Sequence, residues 1–135
     1  MSAPIDPIDR FLSSPAYGVV GASPRRHKYG NKVLRCYQQN GRQAIPVNPR
    51  ETMIEGAACA ATVRDLPDEV KSISVITPPA VTERIVLDAI ARGIENVWMQ
   101  PGAESEASVA ACRRAGLNVI ADGSCVLVVL GYKER

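Results

Sequence analysis

The residues of this chain best suited to chemistry lie in YGVVGASPRRHKYGN, Tyr17 to Asn31. An apolar stretch runs into Gly21, and Arg25, Arg26, His27 and Lys28 follow before the next glycine. Gly21 lets the backbone turn tightly and approach a ligand with no Cβ in the way. Ser23 offers a hydroxyl, and a helix starting near Gly30 or Asn31 would aim unpaired N–H groups at the same space. Cations and helix N–H groups together favour phosphate. The plainer reading is a solvated basic turn, but a position directly after the first strand favours the ligand.

Other reactive side chains are few. His27 is the only histidine, and no carboxylate close in sequence orients it as a base. A loop histidine beside phosphate is therefore preferred over a catalytic one. Cys36, Cys59, Cys112 and Cys125 are scattered with no CxxC pair, and the start of the chain lacks a signal-peptide pattern. Reduced thiols in the cytoplasm are expected, and no metal site is. Cys125 reads either as a buried apolar thiol leading into VLVVL or as a thiol near a ligand, able to form a mixed disulfide. No nucleophile–base–orienter set is recognisable, so binding is expected ahead of catalysis.

Alternating elements must position these residues. A short helix over 5–13, with Ile8, Phe11 and Leu12 on one side, forms an N-terminal helical extension within 1–14. Strands are expected at Tyr17–Val20, Ala44–Val47, Ser72–Thr77, Val97–Met99 and Asn118–Ala121. Helices are expected from Gly30 to Asn40 (Val33, Leu34, Tyr37 inward), Val81 to Arg92 (Val81, Ile85, Ala89, Ile90 inward) and Glu104 to Ala115. Gly41, Gly93 and Gly116 follow these helices as stops. Pro46 marks its strand as irregular or near an edge. Residues 51–62 carry no clear pattern, and Cys125–Leu130 is a last apolar run. Strands alternating with helices predict one domain over 1–135, α/β and Rossmann-like, doubly wound around a mainly parallel sheet of about five strands.

The bulk numbers agree. A net charge of +2 and 4% aromatic residues give little support for nucleic acid, and the apolar runs are far shorter than a membrane span. In such a sheet ligands sit beyond the carboxyl ends of the strands. Those positions are Gly21-Ala22-Ser23-Pro24, Asn48-Pro49-Arg50, Thr77-Pro78-Pro79, Gln100-Pro101-Gly102 and Asp122-Gly123. Gln100 to Gly102 either close over the ligand or make a turn; a structural turn is the default for Asp122. The first loop is not GxGxxG, and Arg50 stands where an NAD site usually has an acid. A carboxylate there would repel a further phosphate on the ribose, whereas Arg50 attracts one. NADP and coenzyme A both carry that phosphate.

VVGAS, YGN, IPVNPR, ITPP, AIARGIENVWMQPGAES and AGLNVIAD, in that order, resemble the stand-alone CoA-binding domain proteins. These are similar to the CoA-binding domain of the succinyl-CoA synthetase alpha subunit, and the resemblance spans roughly residues 10 to 130. It implies phosphates against Gly21, Ala22, Ser23 and Lys28, and the nucleotide end at Val47, Asn48, Pro49 and Arg50. The pantetheine path is implied along Thr77, Pro78 and Pro79. The implied ligand is coenzyme A or an acyl-CoA, with a non-catalytic carrier, sensor or regulatory role and room for a protein partner. Two rival expectations stand beside it: a component of a CoA ligase or acyl-transfer system needing a partner subunit, and an NAD(P)-binding regulatory domain. Many relatives read Asp-Arg-Cys near the end, where this chain has Asp122-Gly123-Ser124-Cys125. The synthetase domain that bears the phosphorylated histidine has no counterpart here, so that activity is not expected.

Overall fold

The computed structural model describes residues 5–135. In chain order it runs α1 (Pro7–Leu12), β1 (Tyr17–Val20), α2 (Tyr29–Gln39), β2 (Ala44–Val47), β3 (Met53–Ile54) and β4 (Ala57–Ala58). A 3-10 turn (Val63–Asp65) leads to β5 (Ser72–Val75), α3 (Pro79–Arg92), β6 (Asn96–Met99), α4 (Glu106–Arg114), β7 (Asn118–Ile120) and α5 (Val126–Leu130). No helix is long and apolar enough to cross a membrane among the described residues.

Five strands form one parallel sheet in the order β2-β1-β5-β6-β7. This is the expected Rossmann-like α/β architecture. The chain winds outward from β1 to β2, then crosses back to β5, so the order reverses between β1 and β5. Both strands are buried along their whole length, and the two serines of β5 are buried with partners, Ser72 accepting from Asn96 and Ser74 paired with Tyr37.

One sheet face packs Val33, Leu34, Cys36 and Tyr37 of α2 against Phe11, Val19, Trp98 and Val126. Phe11 meets Trp98 edge-on at 5.3 Å between centroids, and Tyr17 stacks on Tyr37 at 4.7 Å. The Tyr37 hydroxyl, deep in this layer, is paired with Ser74 Oγ at 2.5 Å. The other face packs Val86 and Ala89 of α3 and Cys112 of α4 on Ile73, Val75, Val97 and Met99.

Several boundaries differ from the sequence expectations for local reasons. The helix α3 starts at Pro79, because proline is preorganised for the first helical position and has no N–H to leave unpaired there. Its fully buried positions are Thr82, Val86 and Ala89, with Val81, Ile85 and Ile90 half-buried. Thr82 takes the inner face because its hydroxyl bonds Thr77 Oγ1 at 2.7 Å. The helix α4 starts after Ser105, which caps Ser108 N at 3.1 Å. Residues 53–58 form a small hairpin that turns at Glu55 (φ 48°) and Gly56 (φ 76°). The apolar run 126–130 is helical.

Pro46 lies on the edge strand. Its carbonyl accepts from Ala60 N at 2.9 Å on the side away from β1, so its missing N–H also faces outward and costs the ladder nothing.

Candidate functional site

Close backbone packing builds the cleft. Gly21 has φ +97°, and a Cβ there would lie 2.0 Å from the carbonyl oxygen of Ile76, just past β5. A Cβ on Gly30, in the first turn of α2, would lie 2.0 Å from the Gly21 carbonyl oxygen. Two glycines therefore let β1, β5 and the start of α2 touch through their main chains. Asn48 adds the edge strand: its Nδ2 donates to Ala22 O at 2.9 Å, while its Oδ1 accepts from Arg50 N and Glu51 N at 2.8 and 3.0 Å. The segments Gly21–Ser23, Val47–Arg50 and Ile76–Pro79 are thus contiguous at the point where strand order reverses.

The helix ends are arranged around this point. Neither α2 nor α3 has a side-chain cap, and neither has an acid in its first turn. The helices farther off each carry a side-chain cap and an acid in the first turn: Asp6 and Asp9 in α1, Ser105 and Glu106 in α4. In α5 the Val126 N–H donates to Gln100 Oε1 at 2.9 Å. Two positive helix ends with neither a side-chain cap nor an acid in the first turn therefore lie at the switch point, the electrostatics that suit an anion, although in α3 Pro79 has no N–H and Val81 N donates to Pro78 O.

The basic loop divides into bound and free cations. Arg26 is paired with Glu55 of the hairpin at 2.5 Å and also donates to Arg135 O at 2.6 Å. Arg25, His27, Lys28 and Arg50 are exposed. Among the described residues, the side chains of Lys28 and Arg50 make no hydrogen bond or ion pair with the cluster. The structure thus brings Gly21 and Ala22 against the end of β5 through main-chain packing and against β2 through the Asn48 side chain, and leaves those two cations at the rim.

Sequence reasoning missed the group that fixes the loop. Arg35, only 4% exposed, donates to Asn31 Oδ1 (2.6 Å) and to Arg26 O (2.7 Å), and its guanidinium lies 5.4 Å from the Tyr132 ring centroid. Asn31 Nδ2 donates to Ser23 O at 2.8 Å and to Glu55 Oε2 at 3.2 Å. Asn31 was within reach as part of YGN; Glu55 was not, because it arrives from a hairpin of two-residue strands.

Burial alone would raise the Glu55 carboxyl. The hydrogen bonds from Asn31 and Arg26, with the Arg26 and Arg35 charges, more than offset it, and the net pKa falls below the ordinary 4.5. A lowered folded value means the carboxylate contributes stability above the unfolded pKa and loses it as pH falls through the folded one. Glu55→Gln should therefore lower the melting temperature at pH 7. The gap from the parent protein should shrink once the pH drops well below 4.5, in melts run across that range.

Other expected residues take plainer roles. Trp98 is core, and its Nε1 donates to Ser124 O at 3.0 Å. Asp122 makes a turn by accepting from Ser124 N at 2.9 Å, and these contacts hold its carboxyl below the ordinary range. Gln100 is completely buried, whereas Pro101 and Gly102 are exposed. A hollow also opens at the amino ends of the strands, lined in part by Arg10, Lys71, Glu69 and Glu95. Its charges cancel, and the helices following β1, β5 and β6 all start at the opposite end.

The comparisons with known proteins bear on this same region. The family model described as CoA binding domain matches residues 16–131. A conserved hypothetical protein from Pyrococcus furiosus is 36% identical with a TM-score of 0.80, covering 86% of this chain and 98% of that one. A hypothetical protein from Pyrococcus horikoshii is 26% identical with a TM-score of 0.85, covering 95% and 94%. The alpha subunit of an ADP-forming acetate–CoA ligase II from Pyrococcus furiosus is 25% identical over 91 residues, which is 67% of this chain. The chain spans only 12–20% of the length of the curated relatives it matches.

Proposed function

Because the chain belongs to the CoA binding domain family, we propose that the crevice beyond β1, β2 and β5 holds coenzyme A or an acyl-CoA. The role would be to carry, sense or present it rather than transform it. The diphosphate lies over Gly21, Ala22 and Ser23, beside Lys28 and the open start of α2. Val47, Asn48, Pro49 and Arg50 take the adenosine end, with Arg50 on the 3′-phosphate. Thr77, Pro78 and Pro79 line the pantetheine. The observation that carries this reading is the pair of uncapped, acid-free helix starts flanking the strand-order reversal. Phosphate supplies the charge those ends lack.

The test is Arg50→Ala, titrated with CoA and with dephospho-CoA. Loss of one charge-assisted contact costs about 1.5–3 kcal/mol, or roughly 10- to 100-fold in affinity. CoA should weaken by that factor and dephospho-CoA should hardly change. Equal weakening of both ligands would remove Arg50 from the 3′-phosphate.

One observation favours a second reading. A relative is the alpha subunit of an acetate–CoA ligase, which suits a CoA-presenting component that acts with a separate subunit. Thioester formation on adding the nucleotide-binding subunit of an ADP-forming ligase, absent from either protein alone, would select it.

A further inference from the structure

We propose that Cys125 is a thiol–disulfide exchange site at the far end of the CoA cleft, where its thiolate reacts with bound CoA disulfide and leaves one CoA joined to the protein as a mixed disulfide. This rests on the CoA reading above. If the adenosine lies at the β2 end, the phosphates at β1 and the pantetheine at β5, the remaining arm runs on toward the ends of β6 and β7. Those ends carry Gln100 and the segment 122–125.

There the half-buried Cys125 Sγ is hydrogen-bonded to Tyr29 Oη, and Tyr29 Oη donates to Gln100 Oε1 at 3.1 Å. Cys125 is held from both sides, by Trp98 Nε1 on Ser124 O and by Val126 N on Gln100 Oε1. The Val126 bond fixes the orientation of the Gln100 carboxamide, and its Nε2 is then a buried donor with no partner. Gln100 is completely buried and its carboxamide borders the Tyr29–Cys125 pair through Oε1, so the unpaired donor on the same group is costly there. An incoming acceptor, a thiolate or a pantetheine oxygen, would satisfy it.

The hydroxyl can serve both states of the thiol. With Cys125 protonated, its S–H donates to Tyr29 Oη and the Tyr29 O–H donates to Gln100. On ionisation the Tyr29 O–H swings to the thiolate, and Gln100 Oε1 keeps the Val126 N–H. Burial and the neighbouring Cys125 raise the Tyr29 pKa, so the phenol stays a donor throughout. Cys36 and Cys112 are buried and pushed up to about 11, which leaves them protonated and poor nucleophiles.

The co-reactant is CoA disulfide. Cys125 loses its proton to solvent, and the thiolate attacks one sulfur of the disulfide. The CoA–CoA S–S bond breaks as the protein–CoA S–S bond forms. The departing CoA thiolate takes up a proton, so one thiol and one disulfide are consumed and one of each is made.

The experiment mixes the full chain, stripped of bound nucleotide, with CoA disulfide and in parallel with oxidised glutathione. Intact mass and peptide mapping follow the products, and calorimetry measures reduced CoA on the same sample. The expected result is one CoA adduct per chain on Cys125, reversed by dithiothreitol and formed about tenfold faster than the glutathione adduct because binding concentrates the reagent. Cys125→Ser should abolish it. Tyr29→Phe should slow adduct formation more than it weakens binding of reduced CoA, a split that a purely structural tyrosine would not give. Equal rates with both disulfides, an adduct on Cys59 instead, or no adduct in protein that binds CoA would overturn the exchange site and leave the CoA cleft intact. No CoA binding at all would overturn both.

Discussion

Gly21→Ala is expected to lower stability by roughly 2–6 kcal/mol, adding left-handed backbone strain of about 1–3 kcal/mol to an overpacking cost of similar size. For a domain whose whole stability is about 5–15 kcal/mol, that is a large fraction. Two other glycines separate the contributions. Gly41 has φ +67° with nothing within 4 Å of the place a Cβ would occupy, so Gly41→Ala should cost only the strain, about 1–2 kcal/mol. Gly30 has an ordinary φ, but its added Cβ would meet the Gly21 carbonyl at 2.0 Å, so Gly30→Ala should cost the overpacking alone. Denaturant melts of the three variants give the order. If Gly21→Ala were no worse than Gly41→Ala, β1 and β5 would not approach as closely as described.

The second large effect is expected at Arg35. Its stem is buried in α2, and its guanidinium satisfies Asn31 Oδ1 and Arg26 O while lying near Glu134. Arg35→Ala leaves two acceptors without a partner in a part-buried site, each worth about 1–3 kcal/mol, so a loss of roughly 2–6 kcal/mol is expected. Arg35→Lys should recover less than half, since one ammonium cannot reproduce the two-directional fork. Because Arg26 O belongs to the basic loop, CoA affinity should also fall about tenfold while the protein is still folded. Thermal melts and calorimetry on one preparation check both outcomes. Unchanged affinity in a destabilised variant would show that the loop needs no such anchor.

The sequence made the sheet legible because its punctuation is local. Gly41, Gly93 and Gly116 end helices, Pro78-Pro79 ends a strand and begins a helix, and the apolar runs between them are too short for anything but strands. The strand ends followed directly, and with them Gly21, Asn48 and Thr77. The rest of the site is non-local. Glu55 reaches Arg26 across 29 positions and Tyr29 reaches Cys125 across 96. The hairpin that brings Glu55 has strands of two residues, too short for any period to show. Arg35 shares a helix face with Asn31, one turn back, rather than with the apolar Leu34 and Cys36 beside it, and its burial depends on the later segment that carries Tyr132 over it. Gln100 read either as closing over the ligand or as part of a turn, because nothing in PGAES announces that its carboxamide caps α5.

The most direct test of the central claim is isothermal titration of ligand-stripped protein with CoA, dephospho-CoA and NADPH. Saturable CoA binding, weaker without the 3′-phosphate and stronger than for NADPH, is the expected result. NADPH binding more tightly than CoA, or no CoA binding at low ionic strength where phosphate contacts are strongest, would contradict it.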